Sequence, residues 1–210
     1  MVQVKKDIVR DRIIDAAARL FEKKGYVECT ISEIAKHARI GAASVYVYFP
    51  SKLDIVFAVY EPWILARIAE TEIEAAKIVN LRSRLEYVLK RFWHVLPHER
   101  NHYLRSFLQA LAVSAGDDSN KSRLYAESRD RISRLVYHCL PEDRKKDFDT
   151  ASMADIIIMA FDGFVINSHL ECGERVIAMV CDLILGKPHR TLNSRERRRD
   201  TRSNQRLAPR

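Results

Sequence analysis

The 210-residue chain predicts an all-α protein: an N-terminal three-helix unit containing a helix-turn-helix, followed by a larger helical domain. Three observations lead there. Apolar residues recur at three- and four-residue spacing along most of the chain, and no stretch alternates convincingly as a strand would. Thr30 with Glu33, and Ser51 with Asp54, stand as cap-forming pairs directly ahead of apolar-periodic runs. Pro97, the Gly116-Asp117-Asp118 cluster, Pro141 and Gly173 punctuate the second half into further helical segments.

The first helix is expected from about Lys5 to Lys24. Ile13, Ala17, Leu20 and Phe21 form its inner stripe, Lys23 and Lys24 suit its negative end, and Gly25 is the stop. Thr30 then opens a second helix whose inner side carries Ile34, Ala35 and Ala38. A turn falls at Arg39 to Ala42, with Ile40 as its apolar plug and Gly41 expected to supply the backbone freedom for the reversal. The third helix runs from about Ala42 to Tyr48. Val45 and Phe49, four apart, pack inward, which leaves Ala42, Ala43, Ser44, Tyr46, Val47 and Tyr48 to face a DNA groove or its phosphates. Ile13, Leu20, Phe21, Ile31, Ile34, Ala35, Ile40, Val45 and Phe49 would form the core of this unit. Ser51 and Asp54 open a long linking helix through Leu53, Val56, Phe57 and Val59, which Pro62 should kink or end.

Helical segments are then expected near 64–78, 80–95, 101–115, 120–139, 149–170 and 173–185. Apolar residues cover most of the circumference of 151–170 and much of 173–185, so both segments need cover on more than one side. The resulting division is 1–50 for the DNA-binding domain, 51–186 for the second domain and 187–210 for a basic tail.

A hydrophobic content of 47% with 30% charged residues is that of an ordinary globular protein. The longest run without a charged side chain, Ile40 to Ser51, is far shorter than the roughly 18 apolar residues of a membrane span. The N-terminus lacks a signal-peptide core, and a cytoplasmic location is the default expectation. The net charge of +8 is uneven. Lys and Arg outnumber Asp and Glu by ten to seven in 1–56 and by nine to two in 187–210, whereas in 57–186 the ratio is seventeen to nineteen. The basic surplus thus lies where attraction to a polyanion helps. The tail reads as a solvated extension, with Arg195, Arg197, Arg198 and Arg199 as candidate supplementary phosphate contacts.

Within 30–54 the stretch Val45-Tyr46-Val47-Tyr48-Phe49-Pro50-Ser51-Lys52 resembles the Leu-Tyr-x-His-Phe-x-Ser-Lys signature of the TetR family of bacterial regulators, with Tyr48 where His is commoner. Ala16-Ala17, Leu20-Phe21, Gly25-Tyr26, Thr30 and Ile34-Ala35 sit at the family's usual spacings, so the resemblance covers about residues 8–60. It implies phosphate contacts at Thr30, Tyr46, Tyr48 and Lys52, and groove contacts at Ser32, Ala42, Ala43, Ser44 and Val47. None of the groove residues can make a bidentate guanine or adenine contact. Specificity is therefore expected from thymine methyl contacts and DNA shape, with Lys36, His37 and Arg39 at the rim. The resemblance further implies a homodimer through the last two helices, about 149–185. It also implies a palindromic double-stranded operator, and a repressor released by a small-molecule effector bound in the second domain.

Aromatic residues of that domain, Trp63, Phe92, Tyr103, Phe107 and Phe161, with Leu111, are the candidate lining of a pocket for a mostly apolar effector. Gln109, Asn167 and His169 are candidate orienting groups, and Asp162 reads instead as a structural or interface carboxylate. His94, His98 and His102 recur every four residues, but Pro97 interrupts the face they would share, so no metal is expected. No cofactor is implied either. Cys29, Cys139, Cys172 and Cys181 lack a Cys-x-x-Cys pairing and read as buried thiols, Cys172 being the one expected to be most accessible. The usual nucleophile-elbow, dinucleotide, phosphate-loop and zinc-protease motifs are missing, which argues against an enzyme. The rival reading is an effector-independent architectural DNA-binding protein, which a basic tail and a base-indifferent helix would suit.

Overall fold

The computed structural model describes residues 2–114, 119–170 and 172–186. The Gly116-Asp117-Asp118 break and the basic tail lie outside the described residues. Helix α1 spans Val2–Glu28 and is interrupted at Gly25, whose φ of 79° lies in the left-handed region that glycine enters without strain. Ile13, Ala17, Leu20 and Phe21 are buried, as their spacing predicts.

Helix α2, Ile31–Ala38, begins with a full capping box. The Thr30 hydroxyl accepts from the Glu33 N–H at 3.2 Å, and the Glu33 carboxylate accepts from the Thr30 N–H at 3.0 Å. At its other end the left-handed residue is Arg39, at φ 56°, and not the expected Gly41, which is extended at φ −72°. The reason is a local closure: Ile40 N–H returns to the Ala35 carbonyl at 3.0 Å, and Arg12 of α1 donates to the carbonyls of Ala38 and Arg39. Helix α3 is shorter than expected. It covers Ala42–Val45, and a turn through Tyr48 returns the Phe49 N–H to the Val45 carbonyl at 3.0 Å.

Helix α4, Lys52–Ala76, is capped by Ser51, which accepts from the Asp54 N–H. It runs unbroken past Pro62, contrary to an end there. The long α4 is packed against both halves of the molecule, which outweighs the backbone hydrogen bond that Pro62 removes. Helix α5, Leu81–Lys90, passes into a π turn at Arg91–Val95 and then α6, Leu96–Glu99, so Pro97 does not interrupt it either. The wider turn lets the adjacent Phe92 and Trp93 both point inward. The remaining helices are α7 (Asn101–Val113), α8 (Ser119–Tyr137), α9 (Thr150–Ile166) and α10 (Glu174–Leu185).

Two apolar clusters result. The first joins α1–α3 to the first nine residues of α4 and to Tyr103, Phe107 and Ala110 of α7. The second gathers α5, the π turn, α8, α9 and α10 around the second half of α4. The first cluster thus reaches beyond residue 50, with Ile55, Val56, Phe57, Val59 and Tyr60 of α4 buried in it.

Candidate nucleic-acid interface and effector cavity

Val45 and Phe49 are buried, and the residues between and before them are turned outward. Ala42, Ala43, Ser44, Tyr46 and Val47 are exposed, Val47 at 75%, and Tyr48 is half-buried. Ser32 and Thr30 are exposed beside them at the start of α2. All of the small groove-facing candidates are thus exposed on the N-terminal unit. Its electrostatics are set by neighbours: Lys24 pairs with Glu33 at 2.5 Å, and that pairing, followed by the Thr30 bonds, holds the Glu33 carboxyl down at about 2. Lys36, His37 and Arg39 remain exposed at the rim. Arg10 of α1, absent from the sequence-based candidates, stacks 5.2 Å above the Phe49 ring and brings a further cation to this corner.

Lys52 departs from expectation. Its ammonium donates to the carbonyls of Tyr26 and Cys29, both at 2.7 Å, and lies 4.0 Å above the Tyr26 ring. Partial burial lowers its pKa. In this arrangement Lys52 fastens the end of α1 to the start of α4 and does not project toward solvent. Thr30 likewise has its hydroxyl committed to Glu33, at 3.0 Å as donor.

The second feature is a cavity of about 400 Å³ between α4, the π turn and α6, α7, α8 and α9. Five of the six sequence-predicted residues line it: Trp63, Phe92, Phe107, Leu111 and Phe161. Tyr103 does not. It packs in the first cluster, 4.0 Å from the Tyr60 ring centroid, and donates its hydroxyl to the Val59 carbonyl at 2.8 Å. Asp162, expected to be structural, is in the lining, as are Arg67, Tyr125 and Ser128. Burial raises the Asp162 carboxyl to about 6. Gln109 lies instead at a separate hollow beside Gly25, Arg105 and Ile166, and Asn167 bonds back to the Gly163 carbonyl.

Among the described residues no cluster of three His, Cys, Asp or Glu side chains could hold a metal; His94 and His98 lie 5.9 Å apart between ring centroids, and the helix breaks at Arg100 before His102. All four thiols are buried, Cys172 included, and burial raises the pKa of each. Also among the described residues, no helix is long and apolar enough to cross a membrane.

Residues 13–59, which carry the exposed α3 surface, match the family described as bacterial regulatory proteins, tetR family. Over that stretch the chain is similar to the TetR family. Named relatives agree. A 90-residue stretch is 27% identical to the fatty acid metabolism regulator protein of Bacillus subtilis, over 43% of this chain and 46% of that protein. A 141-residue stretch is 29% identical to the HTH-type transcriptional regulator AcrR of Shigella flexneri, over 62% of this chain and 64% of that one. The chain thus matches from about half to under two thirds of the length of these two relatives. A likeness in fold extends further. A crystal structure of FadR from Bacillus subtilis in complex with stearoyl-CoA superposes with a TM-score of 0.62 at 18% identity, covering 85% of this chain and 98% of that one. In this TetR-type architecture α2 and α3 are the helix-turn-helix, and both α4 and α7 run from their apolar cluster to the cavity.

Proposed function

We propose that this protein is a homodimeric transcription regulator, a repressor that leaves a palindromic operator when a small, mostly apolar effector fills the cavity. The observation that carries the reading is the outward set of Ala42, Ala43, Ser44, Tyr46 and Val47 over the buried Val45 and Phe49: a small, protruding surface fit for a major groove. Tyr46, Tyr48 and the rim cations Lys36 and Arg39 supply phosphate contacts that fix register, and the groove set adds thymine methyl contacts and shape readout. Lys52 acts as a positioning residue, holding the N-terminus of α4 beside the phosphates.

The dimer is supported by the outer side of the last two helices, where Ile156, Met159, Ile166, Val176, Met179 and Leu183 are exposed together with Leu170 between them. Large apolar side chains in that number on two successive helices call for cover, and a second copy provides it with two-fold symmetry. Half-sites about one helical turn apart follow from that symmetry. The cavity favours an effector-responsive regulator over an architectural protein. Filling it stabilises one arrangement of the two DNA-binding units over another.

The test is a footprint on the DNA upstream of the protein's own gene, with Val47→Asp as the variant. Val47 is far from any core, so the melting temperature should hold while a carboxylate facing phosphates lowers operator affinity by roughly two orders of magnitude. Equal affinity of the variant, or a single-subunit particle by sedimentation, refutes the proposal.

A further inference from the structure

The cavity is unbalanced in charge. Of its described polar lining, Arg67 already donates from its two terminal nitrogens to Glu99 at 3.0 Å and to Glu70, so two carboxylates meet its charge, and only its buried Nε–H has no partner. The Tyr125 hydroxyl donates to Asp155 at 2.8 Å, and Asp155 is also held by Arg129 at 2.6 Å. Asp162 has no donor among the described residues, although it faces the same space. The same space is lined by the aromatic rings of Phe57, Trp63, Phe92, Phe107 and Phe161. Aromatic faces attract cations, and a desolvated carboxylate does so more strongly. An anionic effector would find no ammonium here, only the Nε–H of a guanidinium whose charge Glu70 and Glu99 already meet, and a second negative charge.

We infer that the effector is an amphiphilic organic cation, apolar over most of its surface and carrying one ammonium-type centre that Asp162 receives. This rests on the reading of the cavity as the effector site and adds the chemical class. A cation of this kind pairs with the carboxylate, lies against the aromatic rings and leaves the rest of the lining to its apolar body. Neutral compounds offer Asp162 at most a hydroxyl donor and leave its charge unbalanced, and discrimination follows from that difference.

The experiment compares three probes that share one apolar body by calorimetry on the full chain: a para-biphenylmethyl trimethylammonium, the corresponding neutral alcohol and the corresponding carboxylate. The cation should bind about tenfold tighter than the alcohol or better, and the carboxylate should bind weakest. Asp162→Asn should erase the preference, and Asp162→Glu should keep it. Below about pH 6, where the Asp162 carboxyl takes up its proton, the affinity of the wild-type protein for the cation should fall while that for the alcohol stays level. The alcohol reports any contribution from Arg67, Glu70, Glu99, Asp155 and Arg129, and this wild-type titration decides the matter if Asp162→Asn does not fold. A cation that binds no tighter than the alcohol, or a preference that survives Asp162→Asn with a flat pH profile, overturns the inference. Operator release is read separately. If the cation binds at Asp162 and DNA affinity is unchanged, the cation site stands and the effector-released repressor fails; if the alcohol binds and releases DNA equally well, the reverse holds.

Discussion

The two halves of α4 sit in opposite kinds of packing. From Lys52 to Tyr60 the helix is set in a filled aromatic cluster: Tyr60 lies 6.3 Å from Phe21, 4.0 Å from Tyr103 and 5.2 Å from Phe107, with Phe57 edge-on to Phe107 at 5.8 Å. At Phe57 and from Trp63 to Ile68 the same helix is a wall of an open space of about 400 Å³. Close packing transmits displacement, whereas a void absorbs it until something fills it. One end of α4 is thus mounted in a filled cluster with the helix-turn-helix, and the other borders an unfilled space.

The sharpest way to break this contrast is Tyr60→Ala. Tyr60 is fully buried among three rings, so its truncation should cost about 3–5 kcal/mol in urea unfolding. A loss below about 1.5 kcal/mol would mean that the first cluster is no better filled than the second. On the open side, Asp162→Asn should stabilise the protein. Folding raises the pKa of this carboxyl from 3.8 to about 6, so the folded state binds the proton more tightly, and stability falls as pH rises between those values. The gain from the substitution should be on the order of 2 kcal/mol at pH 7 and vanish near pH 4, as unfolding curves at the two values would record. A gain independent of pH would place the carboxyl in water. The smallest effect is expected at the capping box. Thr30→Ala should cost about 1 kcal/mol and Thr30→Ser much less, with operator affinity following the loosened α2; full stability in Thr30→Ala would show that Lys24 and Glu33 hold the helix start unaided.

The helix-turn-helix was legible because its determinants are local. Thr30 and Glu33 cap within one turn, and Val45 with Phe49 define an inner face four residues apart. Reading failed where a distant partner decided the outcome. The left-handed turn residue is Arg39 and not Gly41 because the Ile40 amide closes on Ala35 and Arg12, far back in α1, takes the freed carbonyls. Lys52 is drawn inward by carbonyls 23 and 26 residues earlier in the chain. For the cavity, periodicity identifies which side chains face inward but not where five helices fail to meet. That is why Phe107 and Tyr103, four apart on α7, were grouped although only Phe107 reaches the cavity. Asp162 was assigned to structure for the same reason: an acid inside an apolar helix looks alike from sequence whether it meets a partner or an empty space.

The unbroken passage of α4 past Pro62 has a mechanical outcome. Its 25 residues amount to about 37 Å of rigid rod. Tilting that rod by about 5° around its midpoint swings each tip by roughly 1.5 Å, and the reading surface mounted beyond the tip travels further. In the proposed two-fold pair both swings count, so a lever with its fulcrum near Pro62 would gear a sub-ångström adjustment around Asp162 into a mismatch with the pitch of DNA.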